Sequence, residues 1–324
     1  MELRQLGTSG LTVSVVGLGC NNLGRADTAS ETLKGSQAVV GAALDAGITL
    51  FDVADNYGKT PGLSEELLGK SLGRRRDEAV VATKFGMDTR GGNGPWNGAR
   101  GSRRYIMTAV DHSLRRLGTD WIDLYHYHTP DGVTPIDETL EALDDLVRAG
   151  KVRYVGHSNR AGWQIAEAEF TARIRGTARF VSAENAYNLL DRRAEQEVLP
   201  AATAYGIGVL PYFPLANGLL TGKYAGGKAP EGSRLTHSRS GLLDTTDWRQ
   251  LTRFSAYAEN RDLTEVEVAF SWLASRPAVA SVIAGATRPE QATTNAASVR
   301  WQPTAEDLAE LDEIFPPAEK VAPF

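Results

Sequence analysis

Cysteine is nearly missing from this chain, with Cys20 the only one among 324 residues. An intrachain disulfide is therefore excluded, and with it the sulfur-stapled scaffolds of small secreted domains. One thiol and five histidines are also poor material for zinc. His126 and His128 stand two apart on a strand-like run and so face the same side, but no third ligand stands near them in the sequence. Long apolar runs are absent too. None approaches the roughly 18 residues of a membrane helix, and the opening MELRQLGTSG has no signal-peptide apolar centre. The formal charge is −5, with Lys and Arg dispersed, so no basic stripe for nucleic acid is present. These absences predict a cytoplasmic chain that acts on a small molecule, without nucleic acid, membrane or metal. Association into a homo-oligomer is left open.

What is present is a repeated alternation. Hydrophobic residues make up 42% of the chain, enough for one large core. RQLGTSGLTV within 3–14 reads as a hairpin turning at Thr8–Gly10. Short apolar strands follow at 13–19, 49–53, 79–83, 122–127, 151–156, 180–183, 207–211 and 279–284. Helical patterns occupy about 35–46, 63–72, 103–117, 136–149, 161–172, 193–204, 264–275 and 304–314. The strands lack clean alternation, as expected of strands buried on both faces. Eight βα units in one chain predict an α/β fold, a (β/α)8 TIM barrel with an N-terminal hairpin, as a single domain over 1–324. A doubly wound sheet would carry a tight Gly-x-Gly-x-x-Gly turn, and Gly17, Gly19 and Gly24 have the wrong spacing for it. Two long irregular stretches, 86–102 and 213–247, read as rim loops rather than linkers.

Four residues follow or close three short apolar runs: Asp52 and Tyr57 in ITLFDVADNYG, Lys84 in EAVVATKFG and His128 in WIDLYHYH. A barrel gathers strand ends at one rim. Tyr57 is a candidate proton donor, although a free phenol with a pKa near ~10 donates poorly at neutral pH. An ammonium at Lys84 would lower that pKa, and Asp52 would hold the lysine charged and aimed. His128 would hydrogen-bond a carbonyl oxygen as negative charge grows there. Taken singly, each has an ordinary reading: a strand-end cap, a packed tyrosine, a surface lysine, a satisfied histidine. Together they make a proton-donating site suited to carbonyl reduction.

These motifs make the chain similar to the aldo-keto reductases, along almost its full length from RQLGTSGLTVSVVGLGC to GATRPEQATTN. It most resembles the bacterial and potassium-channel β-subunit-like branches. The resemblance implies catalytic roles for Asp52, Tyr57, Lys84 and His128, with His126 packed in the core one layer deeper. It implies NADPH (NADP+) as cofactor, with NADH as the less common choice. Gly19, Cys20, Asn21 and Asp52 would lie along that cofactor. Ser158, Asn159 and Glu184 would hold its carboxamide, although the family places glutamine where this chain has Glu184. A carboxylate accepts from an amide NH₂ but cannot donate. Tyr212 would stack on the nicotinamide. Leu215, Gly218, Thr221 and Lys223 in PLANGLLTGKY would cradle the pyrophosphate. Arg288 would meet the adenosine 2′-phosphate, with Gln291 and Asn295 toward the adenine. Two departures stand in that last block, Gly285 for a lysine and Thr294 for an acid.

Asn21, Asn22, Tyr57, Phe85, Trp96 and Tyr212 are expected pocket walls for a small aldehyde or ketone. The sequence leaves two rival functions open. The resemblance to channel β-subunits allows a cofactor-binding, redox-sensing interaction protein. Lys84 could alternatively form a Schiff base in a barrel aldolase or isomerase.

Overall fold

The computed structural model describes residues 1–95, 98–224, 235 and 241–319. Trp96 and parts of the second irregular stretch therefore lie outside the described residues. The hairpin forms as expected, with β1 (Leu3–Gln5) antiparallel to β2 (Thr12–Ser14). Eight parallel strands follow: β3 (Val16–Gly19), β4 (Leu50–Asp52), β5 (Val80–Phe85), β6 (Ile122–Tyr127), β7 (Val152–Ser158), β8 (Ser182–Glu184), β9 (Gly208–Val209) and β10 (Val282–Gly285). Their spatial order is β10-β3-β4-β5-β6-β7-β8-β9. A parallel bridge between Val209 and Val279 joins the two ends, which makes the sheet a barrel. Helices follow the strands and pack outside, as in a (β/α)8 fold.

The helix starts obey local chemistry. Thr32, Ser102, Thr264 and Thr304 each accept a backbone N–H at a helix N-terminus. Two differences from the sequence reading stand out. The helix expected at 193–204 splits into a short 3-10 turn, Arg193–Glu195, and an α-helix, Val198–Tyr205. The short helix Gly241–Thr245, inside the stretch read as a loop, is additional to those expected, as is a longer one at Trp248–Glu259. Its signals are in the sequence: Asp247 caps it, and Leu251, Phe254, Tyr257 and Ala258 form its buried stripe. Among the described residues no helix is long and apolar enough to cross a membrane.

Strand alternation divides the side chains between two compartments. Outward residues such as Phe51, Val81, Tyr125 and Val155 join the large core between sheet and helices. Phe85 belongs there too. It stacks on Tyr127 at 5.0 Å and packs on Tyr125 at 4.8 Å, so it is not a pocket wall as expected. Lys84 points into the barrel, and its neighbour in a strand must point out. The barrel interior is apolar at one end, where Leu50, Ala82, Leu124, Leu210 and Ile283 meet Leu6 and Val13 of the hairpin segment. Two residues further along, the same inward faces carry Asp52, Lys84 and His126.

Gly156 marks the crowding of this second layer. A Cβ there would lie 2.1 Å from Ser182 Oγ and 2.3 Å from His126 Cδ2. Gly156→Ala should therefore push both side chains away and cost roughly 1–3 kcal/mol, the range for overpacked cores. Urea denaturation of the variant beside the parent chain measures this.

Candidate active site

Lys84 is the centre of the site. Its ammonium is fully buried and sits 2.5 Å from Asp52 Oδ1, 3.3 Å from the Val53 carbonyl, 3.4 Å from the Tyr57 hydroxyl and 3.3 Å from Glu184 Oε1. Asp52 ends β4, Lys84 lies near the end of β5 and Glu184 ends β8, so the barrel curvature brings them together. Burial disfavours the lysine charge. Asp52 and then Glu184 outweigh that and hold Lys84 well above its ordinary pKa. A lysine so firmly protonated is a poor Schiff-base nucleophile.

Tyr57 stands on the turn after β4. Its N–H donates to the Ala54 carbonyl and Ser64 N–H donates to its carbonyl, and Gly58 turns the chain with a φ of +102°. The neighbouring Asp55, not among the residues expected from sequence, is buried and accepts from Asn93 Nδ2 at 2.8 Å. That bond ties the Tyr57 turn to the 86–102 loop. The polar DVADN run is the available signal for it. Burial pushes the Tyr57 phenol up, Lys84 opposes this, and Asp52 and Glu184 add to the rise. Burial, the largest of these influences, outweighs the lowering that Lys84 supplies, so the expected net lowering is reversed.

The His128 ring meets the Tyr57 ring edge-on at 5.9 Å. Burial, with Lys84 next, holds its imidazole well below the ordinary range, so it is neutral near pH 7. Its buried Nδ1 makes no hydrogen bond. His126 is deeper, as expected, with Nε2 2.6 Å from Ser182 Oγ. It has company that the sequence did not suggest. The donor atoms of Asp52, His126 and Glu184 all lie within 4.8 Å of one another. The Lys84 ammonium between the two carboxylates already supplies the positive charge.

The other expected residues divide into two sets. At the β7–β9 rim, Ser158 Oγ donates to the Glu184 carbonyl at 2.6 Å. Asn159 takes φ +57° and donates through Nδ2 to the His128 carbonyl at 3.0 Å, while its Oδ1 accepts from the Tyr212 hydroxyl at 2.8 Å. Ser158, Asn159, Tyr212 and His128 are thus one connected group. Glu184 differs, since its side chain is buried beside Lys84 and His126. On the second arc, Leu215 accepts the Gly218 N–H and Gly218 accepts the Thr221 hydroxyl, both at 2.7 Å. Gly218 has φ +99°, and a Cβ on it would strike Lys223 Cε at 2.9 Å.

Gly19 pairs with Gly285 in the β3–β10 register. A Cβ on Gly285 would meet Asn22 Nδ2 at 2.7 Å and Asn21 Oδ1 at 3.4 Å. The Cys20 thiol is buried against the core, and its carbonyl accepts from Ser64 Oγ at 2.6 Å and from the Leu23 N–H at 3.0 Å. Arg288 is exposed at the N-terminus of helix Pro289–Ala297 and makes no side-chain cap bond. Gln291 accepts from Thr287 N–H at 2.8 Å, and Asn295 is buried. Two concavities of about 500 and 540 Å³ are present, one lined by Arg192, Gln250 and Phe315 in and near the loop after β8, the other by Leu263, Glu267 and Arg300.

Comparison with known proteins gives a consistent result. A model of the aldo/keto reductase family matches residues 15–315. The chain is 39% identical over 322 residues to the uncharacterized oxidoreductase YrpG of Bacillus subtilis strain 168, covering 98% of this chain and 96% of that protein. It is 32% identical over 326 residues to L-glyceraldehyde 3-phosphate reductase of Escherichia coli K12, covering 97% and 92%. It is 35% identical over 310 residues to a probable voltage-gated potassium channel subunit beta of Oryza sativa subsp. japonica, covering 91% and 90%.

Removing the central cation tests the electrostatics directly. Lys84→Met leaves two buried carboxylates without their counter-charge and should cost roughly 3–5 kcal/mol near pH 8. The loss should shrink toward pH 5, because protonation neutralises the carboxyls. Urea midpoints at both pH values check the size and the sign.

Proposed function

The chain belongs to the aldo/keto reductase family, and from that premise we propose that it reduces small aldehydes or ketones to alcohols with a reduced nicotinamide cofactor, Tyr57 donating the proton. The observation that carries this reading is the Tyr57 hydroxyl at 3.4 Å from a buried, doubly paired ammonium. Family membership supports an oxidoreductase, and the Tyr57 role is the finer claim.

The rim suits such a cofactor on features of its own residues. Asn159, Ser158 and Tyr212 form a fixed polar and aromatic edge next to His128. The 215–223 loop bends through positive-φ Ala216, Asn217 and Gly218 and brings Lys223 over itself. Arg288 is an exposed cation at a helix N-terminus, where backbone N–H groups favour anions. When bound, a reduced nicotinamide supplies hydride to the carbonyl carbon. Ser158 and Asn159 would hold its carboxamide, Tyr212 its ring face, and Leu215, Gly218, Thr221 and Lys223 its phosphates. Gly19, the Cys20 main chain and Asn21 would line the same groove, with Gln291 and Asn295 toward the adenine. Arg288 supports a preference for NADPH over NADH.

As charge grows on the substrate oxygen, Tyr57 Oη–H gives up its proton, and Lys84 stabilises the phenolate left behind. Neutral His128 donates a hydrogen bond to the same oxygen without competing for that proton. Asp52 keeps Lys84 charged and aimed. A reducing cytosol is the compartment this reading expects.

The similarity to a channel subunit supports a second reading, a cofactor-sensing partner protein. Fluorescence titration with NADPH and NADH, followed by cofactor oxidation with a panel of aldehydes, ketones and quinones, separates the two. Binding with turnover favours the reductase, and binding with a co-purifying partner and negligible turnover favours the sensor.

Tyr57→Phe should lower kcat for reduction by roughly 10²–10⁴, the usual worth of a general acid, with cofactor Kd within about twofold. Normal reductive turnover in that variant would sink the Tyr57 assignment. Arg288→Ala should weaken NADPH binding by roughly tenfold to a hundredfold, the worth of a charge-assisted hydrogen bond, and barely change NADH binding. Equal losses for both cofactors would place Arg288 away from the 2′-phosphate.

A further inference from the structure

The position where the family resemblance calls for a carboxamide-holding glutamine carries a carboxylate, and that carboxylate is not turned to the rim. Glu184 Oε1 is 3.3 Å from Lys84 Nζ, and Oε2 is 3.2 Å from His126 Nδ1. Both acid side chains of the cluster are nearly inaccessible, at 4% for Asp52 and 2% for Glu184. Glu184 Oε2 and His126 Nδ1 are buried and make no hydrogen bond.

Five elements contribute the groups that face this cluster. β4 contributes Asp52, β5 Lys84, β6 His126, β8 Glu184, and the turn after β4 contributes Tyr57. His128 at the end of β6 and Cys20 after β3 complete the surroundings. His126 is held down to about 3, by burial first and Lys84 second, and is neutral. His128 is neutral as well, and burial keeps the Cys20 thiol protonated. Two carboxylates then share one ammonium, with a net charge of −1 in a buried site.

We propose that Glu184 is a positioning residue of the tetrad: it shares Lys84 with Asp52, and the two carboxylates hold one proton between them near neutrality. This rests on the reductase reading. The titration directions agree with the geometry. Burial, then the charge of Glu184, pushes Asp52 up to about 7, and burial raises Glu184 also. With the proton on, the cluster is neutral and a phenolate at Tyr57 is opposed less. With it off, the extra negative charge makes Tyr57 a weaker acid. Reduction should therefore slow as pH rises through the titration of the pair. The proton enters and leaves as a solvent proton, so no further reactant is required.

Glu184→Gln is the test, because the amide keeps the shape and removes the charge. The first readout is infrared titration of the protonated-carboxyl band in the cofactor-free chain. The parent should take up one buried proton with a midpoint near 7, the value to which Asp52 is displaced. In Glu184→Gln that uptake should leave the neutral range, since Asp52 then pairs with Lys84 alone. The second readout is the pH profile of kcat. Its neutral inflection should vanish in Glu184→Gln and return in Glu184→Asp, with cofactor KM changed little.

An infrared titration identical in parent and Glu184→Gln would overturn the shared proton. So would an unchanged pH profile with weakened cofactor binding, which would return Glu184 to the carboxamide. The infrared readout needs no turnover. A parent chain that reduces no carbonyl would overturn the functional reading alone. A missing buried proton in an active enzyme would overturn this proposal alone.

Discussion

One buried ammonium holds the upper half of this barrel together. Lys84 reaches two carboxylates, a backbone carbonyl and the Tyr57 hydroxyl from a position with no solvent contact. A charge in such a place persists only when it is paired. The pairing requires that β4, β5 and β8 end at matched heights, so the barrel's register and its electrostatics depend on each other. Tyr57 and His128 then take their properties from this centre. Lys84 lowers the cost of a phenolate, and it adds to burial, the larger cause, in keeping the neighbouring imidazoles unprotonated.

The same strands serve two purposes along their length. Leu50, Ala82 and Leu124 build an apolar floor. Asp52, Lys84 and His126, two residues on, build the ionic layer above it. The period of two in a strand makes this possible, since each inward face carries an apolar residue and then a polar one. Packing limits the arrangement as much as charge does, because the ionic layer leaves no room for a Cβ at Gly156.

Much of this is legible in the sequence. The eight strands and most of the helices follow from short apolar runs between amphipathic stretches, and all eight strands lie within a few residues of their expected places. Asp52, Tyr57, Lys84 and His128 can be singled out because each closes or closely follows such a run. The helix at Trp248–Glu259 escapes because it follows a long irregular stretch, although its cap and apolar stripe are readable. Phe85 is misplaced as a pocket wall because it neighbours Lys84 in sequence, whereas strand alternation sends it to the opposite face. Burial and mutual distance are not written in any one segment. The meeting of Glu184 with Lys84 and His126 joins three strands separated by many residues, and only closure of the barrel brings them together. The reversal of the Tyr57 shift has the same origin.

The hairpin gives the ionic layer a closed floor. Leu6 and Val13 are fully buried in the apolar end of the barrel, and Gly7 fits so closely that a Cβ would lie 2.2 Å from the Gly206 carbonyl. Protons and water therefore reach Lys84 and its partners from the opposite end, through the strand-end mouth where Tyr57 stands. Any molecule that fills that mouth also shuts the doorway. If the two carboxylates share a proton as proposed, a ligand seated there would also stand between that proton and solvent.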